Sequence, residues 1–388
     1  MRGMLLVPDT TLSCAKGFTA RLTDIGAAPD GLIGEWKALA GQVGEPNAFA
    51  ESWFVLPAVS ALGQSRKIRL IDVRNGTGRL AGVLPLAIEG RYGRIPARHV
   101  SNWTHFQCFM GTPLVRKGEE GDFWLAVLRL LDESAWAKGF LSISGLLENG
   151  PVHQGLKAAA LALGRPCPTV HRYARAALAS ALEPEAYLSA TVRPKKRKEL
   201  RRLANRLGEL GNVSFSVLER AEQLPAWCDA FLALEAAGWK GSSGSAFAND
   251  AATTAFFREI IHGAFAAGRL DFQRLDLDGR AIAMLVNFRT PPGSWSFKIA
   301  YDEDLARFSP GVLIELENLP RVLNDPEIEW MDSCAVEDHP MINSLWGERR
   351  SIVQASVPLS GARRMGIFKA CRMLETGSAA ARRLRGKG

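Results

Sequence analysis

Two related mixed α/β domains in tandem are what this sequence predicts, and three observations predict them. Its 388 residues exceed what one compact hydrophobic core usually organises. Helical and strand-like segments recur in the same order in each half. Equivalent hairpins also echo one another: Asn75-Gly76-Thr77-Gly78-Arg79-Leu80-Ala81 in the first half, Leu277-Asp278-Gly279-Arg280-Ala281-Ile282-Ala283 in the second. The boundary is expected near residues 175–190, giving domains 1–180 and 181–360 and a basic tail, 361–388. Apolar residues at 47% and charged residues at 23% exclude wholesale disorder.

In the first half the pattern predicts helices near 30–43 and 53–62. Residues 68–73 alternate apolar and polar side chains, as a half-buried strand does. Asn75-Gly76 is expected to form a tight turn, because both residue types tolerate positive φ, and 80–88 returns as the partner strand. Short strands are expected around 102–115, helices over 118–138 and 152–163, and a strand over 140–145. The second half opens with a basic helix over 193–206, its apolar face marked by Leu200, Leu203, Leu207 and Leu210 and its end by Gly211. A strand over 213–218 and a helix over 224–237 follow. The glycine-rich stretch 238–245 leads to a helix from 250 to 267. A hairpin then turns at Asp278-Gly279, and strands over 294–301, 327–332 and 354–359 complete the half, with a helix starting at Pro310.

No apolar run is long enough for a bilayer span of about 20 residues. The apolar stretch 4–7 is shorter than the roughly 7–15 residues of a signal-peptide core, so a cytoplasmic protein is expected. Cys14, Cys108, Cys167, Cys228, Cys334 and Cys371 show no paired spacing, which argues for reduced thiols over a disulfide framework or zinc knuckle. The formal charge of +8 is concentrated. Eight basic residues lie between Arg193 and Arg206 against Glu199 alone, and eight more between Arg363 and the end against Glu375 alone. Elsewhere acidic residues outnumber basic ones. This pattern excludes a general DNA-binding protein and indicates two local anion-facing patches. The helix 193–206 suits a solvated surface, an anionic cofactor, a tRNA or an acidic membrane surface. The segment after Thr376 is expected to fray.

The segment 298–313 carries the most chemical information. A strand ends at Tyr301, a polar loop follows, and a helix begins with Ser309 as N-cap and Pro310 at its first position. Serine is expected to accept a bond from a first-turn amide, and Gly311 removes a side chain there. A ligand phosphate could then approach free amides and the positive end of the helix dipole, with Arg307 as charge partner. An ordinary capped helix is the alternative.

The stretch 301–311 (YDEDLARFSPG) resembles the cofactor-loop segment of the BioF2-like branch of the GNAT acyltransferase superfamily. That branch includes the CelD-type proteins of polysaccharide biosynthesis and lies near the FemAB group. Asn47-Ala48-Phe49 before Ser52-Trp53, Leu200-Arg201-Arg202-Leu203, and Leu234-Glu235-Ala236-Ala237-Gly238-Trp239-Lys240-Gly241 fit the same branch. The resemblance implies two tandem GNAT-like domains, each a central mixed, mostly antiparallel sheet flanked by helices. It also implies transfer of an acyl group from acyl-CoA (acetyl-CoA), or of an aminoacyl group from tRNA as in the FemAB branch. The usual loop, Arg/Gln-x-x-Gly-x-Gly/Ala, departs here to Arg307-Phe308-Ser309-Pro310-Gly311-Val312, and Pro310 deletes one amide. On this resemblance Arg307, Ser309, Gly311, Val312 and Ile299 are the expected cofactor-binding residues.

Acyl transfer to an amine needs an uncharged nucleophile, a proton acceptor and support for the developing oxyanion. The amides of 295–301 are expected to polarise the thioester carbonyl, and no nucleophile elbow or Cys–His spacing suggests a covalent route. His339 is the leading candidate base, with Glu337 or Asp338 raising its basicity; Asp332 follows, and Tyr301 is the candidate acid for the leaving thiolate. No metal is expected, since no second histidine lies at ligand spacing. Trp239 and Lys240 in the glycine-rich loop, Lys298 beside the cofactor strand, and Trp346 with Arg349 are candidate acceptor-binding residues. The first half, lacking a counterpart of the 307–311 loop, is expected to close one wall of the acceptor cleft. The expected acceptor is a small molecule or saccharide. The alternatives are an aminoacyl-tRNA-dependent transferase and a non-catalytic scaffold, with peripheral membrane contact available through 193–206 and 363–388.

Overall fold

The computed structural model describes residues 10–13, 17–63 and 67–385, and side chains to Thr376. The apolar stretch 4–7 and Cys14 lie outside the described residues. The chain divides into two compact units, neither of them contiguous. Unit 1 takes residues 1–52, 63–172 and 352–388; unit 2 takes 53–62 and 173–351.

In the first half of the chain the elements run β1 (Thr10–Ser13), β2 (Thr19–Asp24), α1 (Asp30–Leu39), α2 (Ser52–Leu62), β3 (Arg69–Arg74), β4 (Leu80–Glu89), β5 (His99–Asn102) and β6 (Leu114–Val115). Then come α3 (Glu120–Glu133), β7 (Phe140–Leu147), α4 (Pro151–Ala162) and β8 (Thr169–Leu178). The second half continues with α5 (Pro184–Thr191), α6 (Pro194–Gly208), β9 (Val213–Val217), α7 (Leu224–Ala237), α8 (Trp239–Ser242) and α9 (Ala251–Ala266). It closes with β10 (Leu270–Leu277), β11 (Arg280–Thr290), β12 (Gly293–Tyr301), α10 (Pro310–Leu323), β13 (Trp330–Asp332), β14 (Glu348–Pro358) and α11 (Ala362–Arg385).

Unit 1 holds its strands in the order β1-β2-β3-β4-β5-β7-β14, with β6 also on β4. All neighbours are antiparallel except β5 and β7. Its core joins Leu22, Ile71 and Leu84 of the sheet to Trp124 and Leu128 of α3 and Leu156 of α4. Unit 2 repeats this plan as β9-β10-β11-β12-β13-β8, again antiparallel with one parallel pair, β12 and β13. On one face of this sheet α2 inserts Phe54 among Phe256, Phe288 and Phe297, at ring-centroid distances of 5.6, 6.2 and 6.0 Å. On the other face α10 packs Leu313 and Ile314 against Leu275, Ile282 and Leu285. The mixed, mostly antiparallel sheets flanked by helices are those the resemblance implies.

The two hairpins differ in detail from expectation. Asp278 and Gly279 have φ of 50° and 76°, the two positive values a tight two-residue hairpin turn requires. Asn75-Gly76 does not form such a turn. The bend spans residues 75–78 with its positive φ at Gly78, and the Asn75 carboxamide accepts from the amides of Thr77 and Arg79. The segment after Thr376, expected to fray, continues α11 to Arg385. Among the described residues no helix is long and apolar enough to cross a membrane, and no disulfide forms.

Candidate active site

The site grows from the way β12 leaves β13. The parallel pairing runs only over Gly293, Ser294 and Trp295 of β12, facing Trp330, Met331 and Asp332. Beyond Trp295 no strand among the described residues pairs the outer edge of β12. The register with β11 skips from Val286–Lys298 to Asn287–Ser296, so Phe297 is an extra residue, a β-bulge. A bulge breaks the alternation of side chains and twists its strand away from a neighbour. Phe297 and Lys298 accordingly both reach Phe247, whereas Ser296 reaches Glu315 of α10.

Lys298 is the distinctive group here. Its Nζ lies 5.3 Å from the centroid of the Phe247 ring and 5.9 Å from that of Phe297. Burial pulls its ammonium down to about 8; the charge of Lys240 acts in the same direction, while Glu235 and Cys334 oppose it. Lys240 is itself committed: its Nζ donates to the Ile299 carbonyl at 2.8 Å and to Glu235 Oε1 at 3.3 Å. Glu235 is buried, and its other oxygen accepts from the Phe247 amide at 2.8 Å. A predicted acceptor-binding residue thus braces the open strand. Trp239 is 58% exposed and its amide donates to Glu303 Oε1 at 2.6 Å, which anchors the short α8.

At the start of α10 the structure departs from the predicted cradle. Ser309 occupies the cap position in the left-handed region, φ 55°, and its side chain makes no capping bond. The Val312 and Leu313 amides both donate to the Ser309 carbonyl, at 2.9 and 3.0 Å. With Pro310 contributing no amide, Gly311 has the one N–H of this turn without an acceptor among the described residues. A side chain at Gly311 would stand 3.1 Å from Tyr301 Cδ1 and 3.6 Å from Ile299 Cδ1. The glycine therefore serves close packing of α10 on β12. Tyr301 and Ile299 join the apolar layer beneath α10. Arg307 is exposed, with its guanidinium carbon 4.8 Å from the Phe308 ring centroid.

Both predicted bases are otherwise engaged. Asp332 is fully buried; it accepts hydrogen bonds from Arg175 Nη2 at 3.1 Å and the Cys334 amide at 2.9 Å, and it is ion-paired with Arg175 Nε at 2.6 Å and Arg350 Nε at 3.5 Å. Two guanidiniums thus hold this carboxylate. His339 accepts the Ile342 amide at Nδ1, 3.4 Å away, which in the neutral ring leaves the proton on Nε2. Burial lowers its pKa and Lys240 adds to that, opposite to the raised basicity expected from Glu337 and Asp338. The Glu337 carboxylate instead receives the Ala174 amide. Trp346, predicted to stack on substrate, is 1% exposed within the core of unit 2, and Arg349 donates to the carbonyls of Trp346 and Glu348 at 2.8 and 2.7 Å. The Cys334 thiol is pushed well above its ordinary range by burial and Asp332, so it offers no thiolate.

Residues 194–335 match the family model described as an acetyltransferase (GNAT) domain. This match supports the GNAT superfamily for the segment. The chain is therefore a transferase of the N-acetyltransferase type. Solved structures similar to it in fold include FemX, with 10% identity, 83% of this chain and 95% of that one covered, and a TM-score of 0.52. Another is a conserved protein of unknown function from Bacteroides thetaiotaomicron VPI-5482, with 11% identity, coverage of 87% and 99%, and a TM-score of 0.54. The C-terminal domain of a putative lysylphosphatidylglycerol synthetase from Agrobacterium fabrum has 13% identity, coverage of 88% and 96%, and a TM-score of 0.50. At these identities the likeness is one of fold. No curated protein matches the chain in sequence.

The GNAT domain also holds groups that sequence reasoning missed. Glu315 of α10 is buried and accepts from Asn318 Nδ2 at 3.1 Å and from Ser296 Oγ at 3.5 Å. Burial pushes its carboxyl up to about 7 against the pull of those two donors. Asn318 Oδ1 accepts in turn from Gln273 and Asn287, at 2.8 and 2.9 Å. This polar network pins α10 to β10, β11 and β12 at the place where β12 departs from β13. A glutamate inside an apolar helix face, three residues before an asparagine, was the available signal. Among the described residues no group of His, Cys, Asp and Glu is disposed to hold a metal ion.

Proposed function

We propose that the GNAT domain transfers an acyl group from acyl-CoA, acetyl-CoA being the simplest case, to an amine or hydroxyl of a sugar or saccharide precursor. The single observation that supports this most is the open outer edge of β12 beyond Trp295, with its bulge at Phe297 and Lys298 alongside. Unpaired amides along that edge suit a thioester carbonyl, and would stabilise the charge that develops when the acceptor nitrogen or oxygen attacks. The acceptor forms the new bond to the acyl carbon, the carbon–sulfur bond breaks, and Lys298 takes the acceptor's proton once its own amine is neutral. Exposed Arg307 and the Gly311 amide are the groups that would meet the diphosphate, with Ser309, Val312 and Ile299 around them. A saccharide acceptor is the reading the BioF2-like and CelD-type resemblance favours.

The test is calorimetry and thermal shift with CoA, acetyl-CoA and longer acyl-CoAs, repeated on Arg307→Glu. The expected result is a melting temperature raised by at least one of these ligands and a shift lost in the variant. No shift with any of them would sink the CoA reading.

A second reading, an aminoacyl-tRNA donor, is favoured by one observation. The first turn of α10 offers a single amide and is backed by Tyr301, a small site for a diphosphate, while α6 exposes Lys195, Lys198, Arg201, Arg202 and Arg206 beside its exposed cap residue Arg193. Binding of charged tRNA that weakens steeply with salt would select it.

A further inference from the structure

Within unit 2, helices α5, α6 and α10 and the strands β9 and β10 line a half-open cavity of about 390 Å³. Its walls are largely apolar, with Leu188, Val192, Leu200, Leu207, Leu275 and Leu313 among them. Its charged lining residues, Glu185, Arg197, Arg201 and Glu317, come from the three helices, and all except the half-buried Arg197 are exposed, so they form a rim. None of the four is ion-paired to another among the described residues. That volume falls in the range of small-molecule sites, roughly 300–1,000 Å³, and nothing of the chain itself occupies it. The cations of α6 continue outward from the rim.

We propose that this cavity takes one acyl chain of an anionic phospholipid, so that α6 seats the protein on an anionic membrane surface. Charge and shape together carry the assignment. Arg197 and Arg201 would receive the phosphate, and the carboxylates of Glu185 and Glu317 suit hydrogen-bond donors on a hydroxylated headgroup. The exposed cations of α6 face the surrounding anionic surface. An RNA backbone would use the same cations but has no part that needs an apolar hole beside them. The site is separate from the edge of β12, so it stands or falls without the acyl-CoA reading.

The test is flotation of the full chain with phosphatidylcholine vesicles, with and without phosphatidylglycerol, followed by phosphorus analysis of the recovered protein. Ala204→Phe fills the cavity from an exposed helical position without changing charge. Arg197→Gln with Arg201→Gln removes the phosphate partners. Wild type should float only with the anionic vesicles and retain phospholipid, and each variant should bind at least about fivefold more weakly with an unchanged melting curve. If Ala204→Phe melts earlier, Ser189→Phe fills the cavity from the α5 side. The proposal is overturned if wild type stays with the lipid-free fraction, or if filling the cavity leaves flotation and retained lipid unaltered. It is equally overturned if the cations of α6 bind tRNA while vesicles fail to compete.

Discussion

Lys298 and Glu315 are opposite cases of one effect, since burial drives each toward its neutral form. Lys298 titrates near 8 when folded against an ordinary 10.5, so above pH 8 the unfolded chain holds the extra proton. Stability should therefore rise with pH from about 8 to 10.5 through this group. Lys298→Met should melt higher than wild type at pH 7, with the gap closing across that window in denaturation curves. In turnover the same residue should give a limb of kcat/KM that rises through about pH 8. Lys298→Met should lose this limb together with roughly 10²–10⁴-fold in kcat; a limb that survives the substitution assigns the proton to another group.

Glu315 works in the other direction. Its carboxyl keeps a proton to about pH 7 in the folded chain but only to 4.5 unfolded, so stability should fall as pH rises between those values. Glu315→Gln should match wild type at pH 4.5 and be more stable at pH 8, by roughly 3 kcal/mol at most, in urea titrations at the two pH values. Identical midpoints at pH 8 would show that the carboxyl is not held neutral.

At the scale of elements, the helix start at Pro310 was legible because proline states a local backbone requirement, and the 278–279 turn because Asp-Gly does the same. The bulge at Phe297 was not. It depends on the register between β11 and β12, and it decides which face Lys298 occupies. The place of Asp332 at the end of a strand was legible, but its partner Arg175 was not, being remote in sequence and joining it only when β8 pairs with β13. Asp332→Ala would leave Arg175, 2% exposed, without its counter-charge, and should cost about 3–5 kcal/mol in chemical denaturation. Replacing Arg175 and Asp332 together by Met and Leu should recover part of that loss, since Arg350 also loses this carboxylate. A loss that the double variant fails to recover would place the energy elsewhere than in the ion pair.

For the whole molecule, the repeated order of elements announced a tandem arrangement, whereas the exchange of segments was beyond reach of any local pattern. Unit 2 needs Trp53 and Phe54 of α2, which lie far upstream, and Phe54 fills the space among Phe256, Phe288 and Phe297. A fragment of residues 181–360 lacks that helix and should be insoluble or melt without cooperativity. Supplying it as a soluble, cooperatively melting monomer would refute the requirement.

The return of β14 to unit 1 governs the order of events on the ribosome. Residues 352–358 complete the sheet beside β7, yet they are translated after every residue of unit 2. Until then the nascent first sheet presents β7 as a bare edge, the kind of edge that recruits stray strands. The protein thus matures late and as one piece, and any pause in synthesis between residues 148 and 351 prolongs its exposure to aggregation.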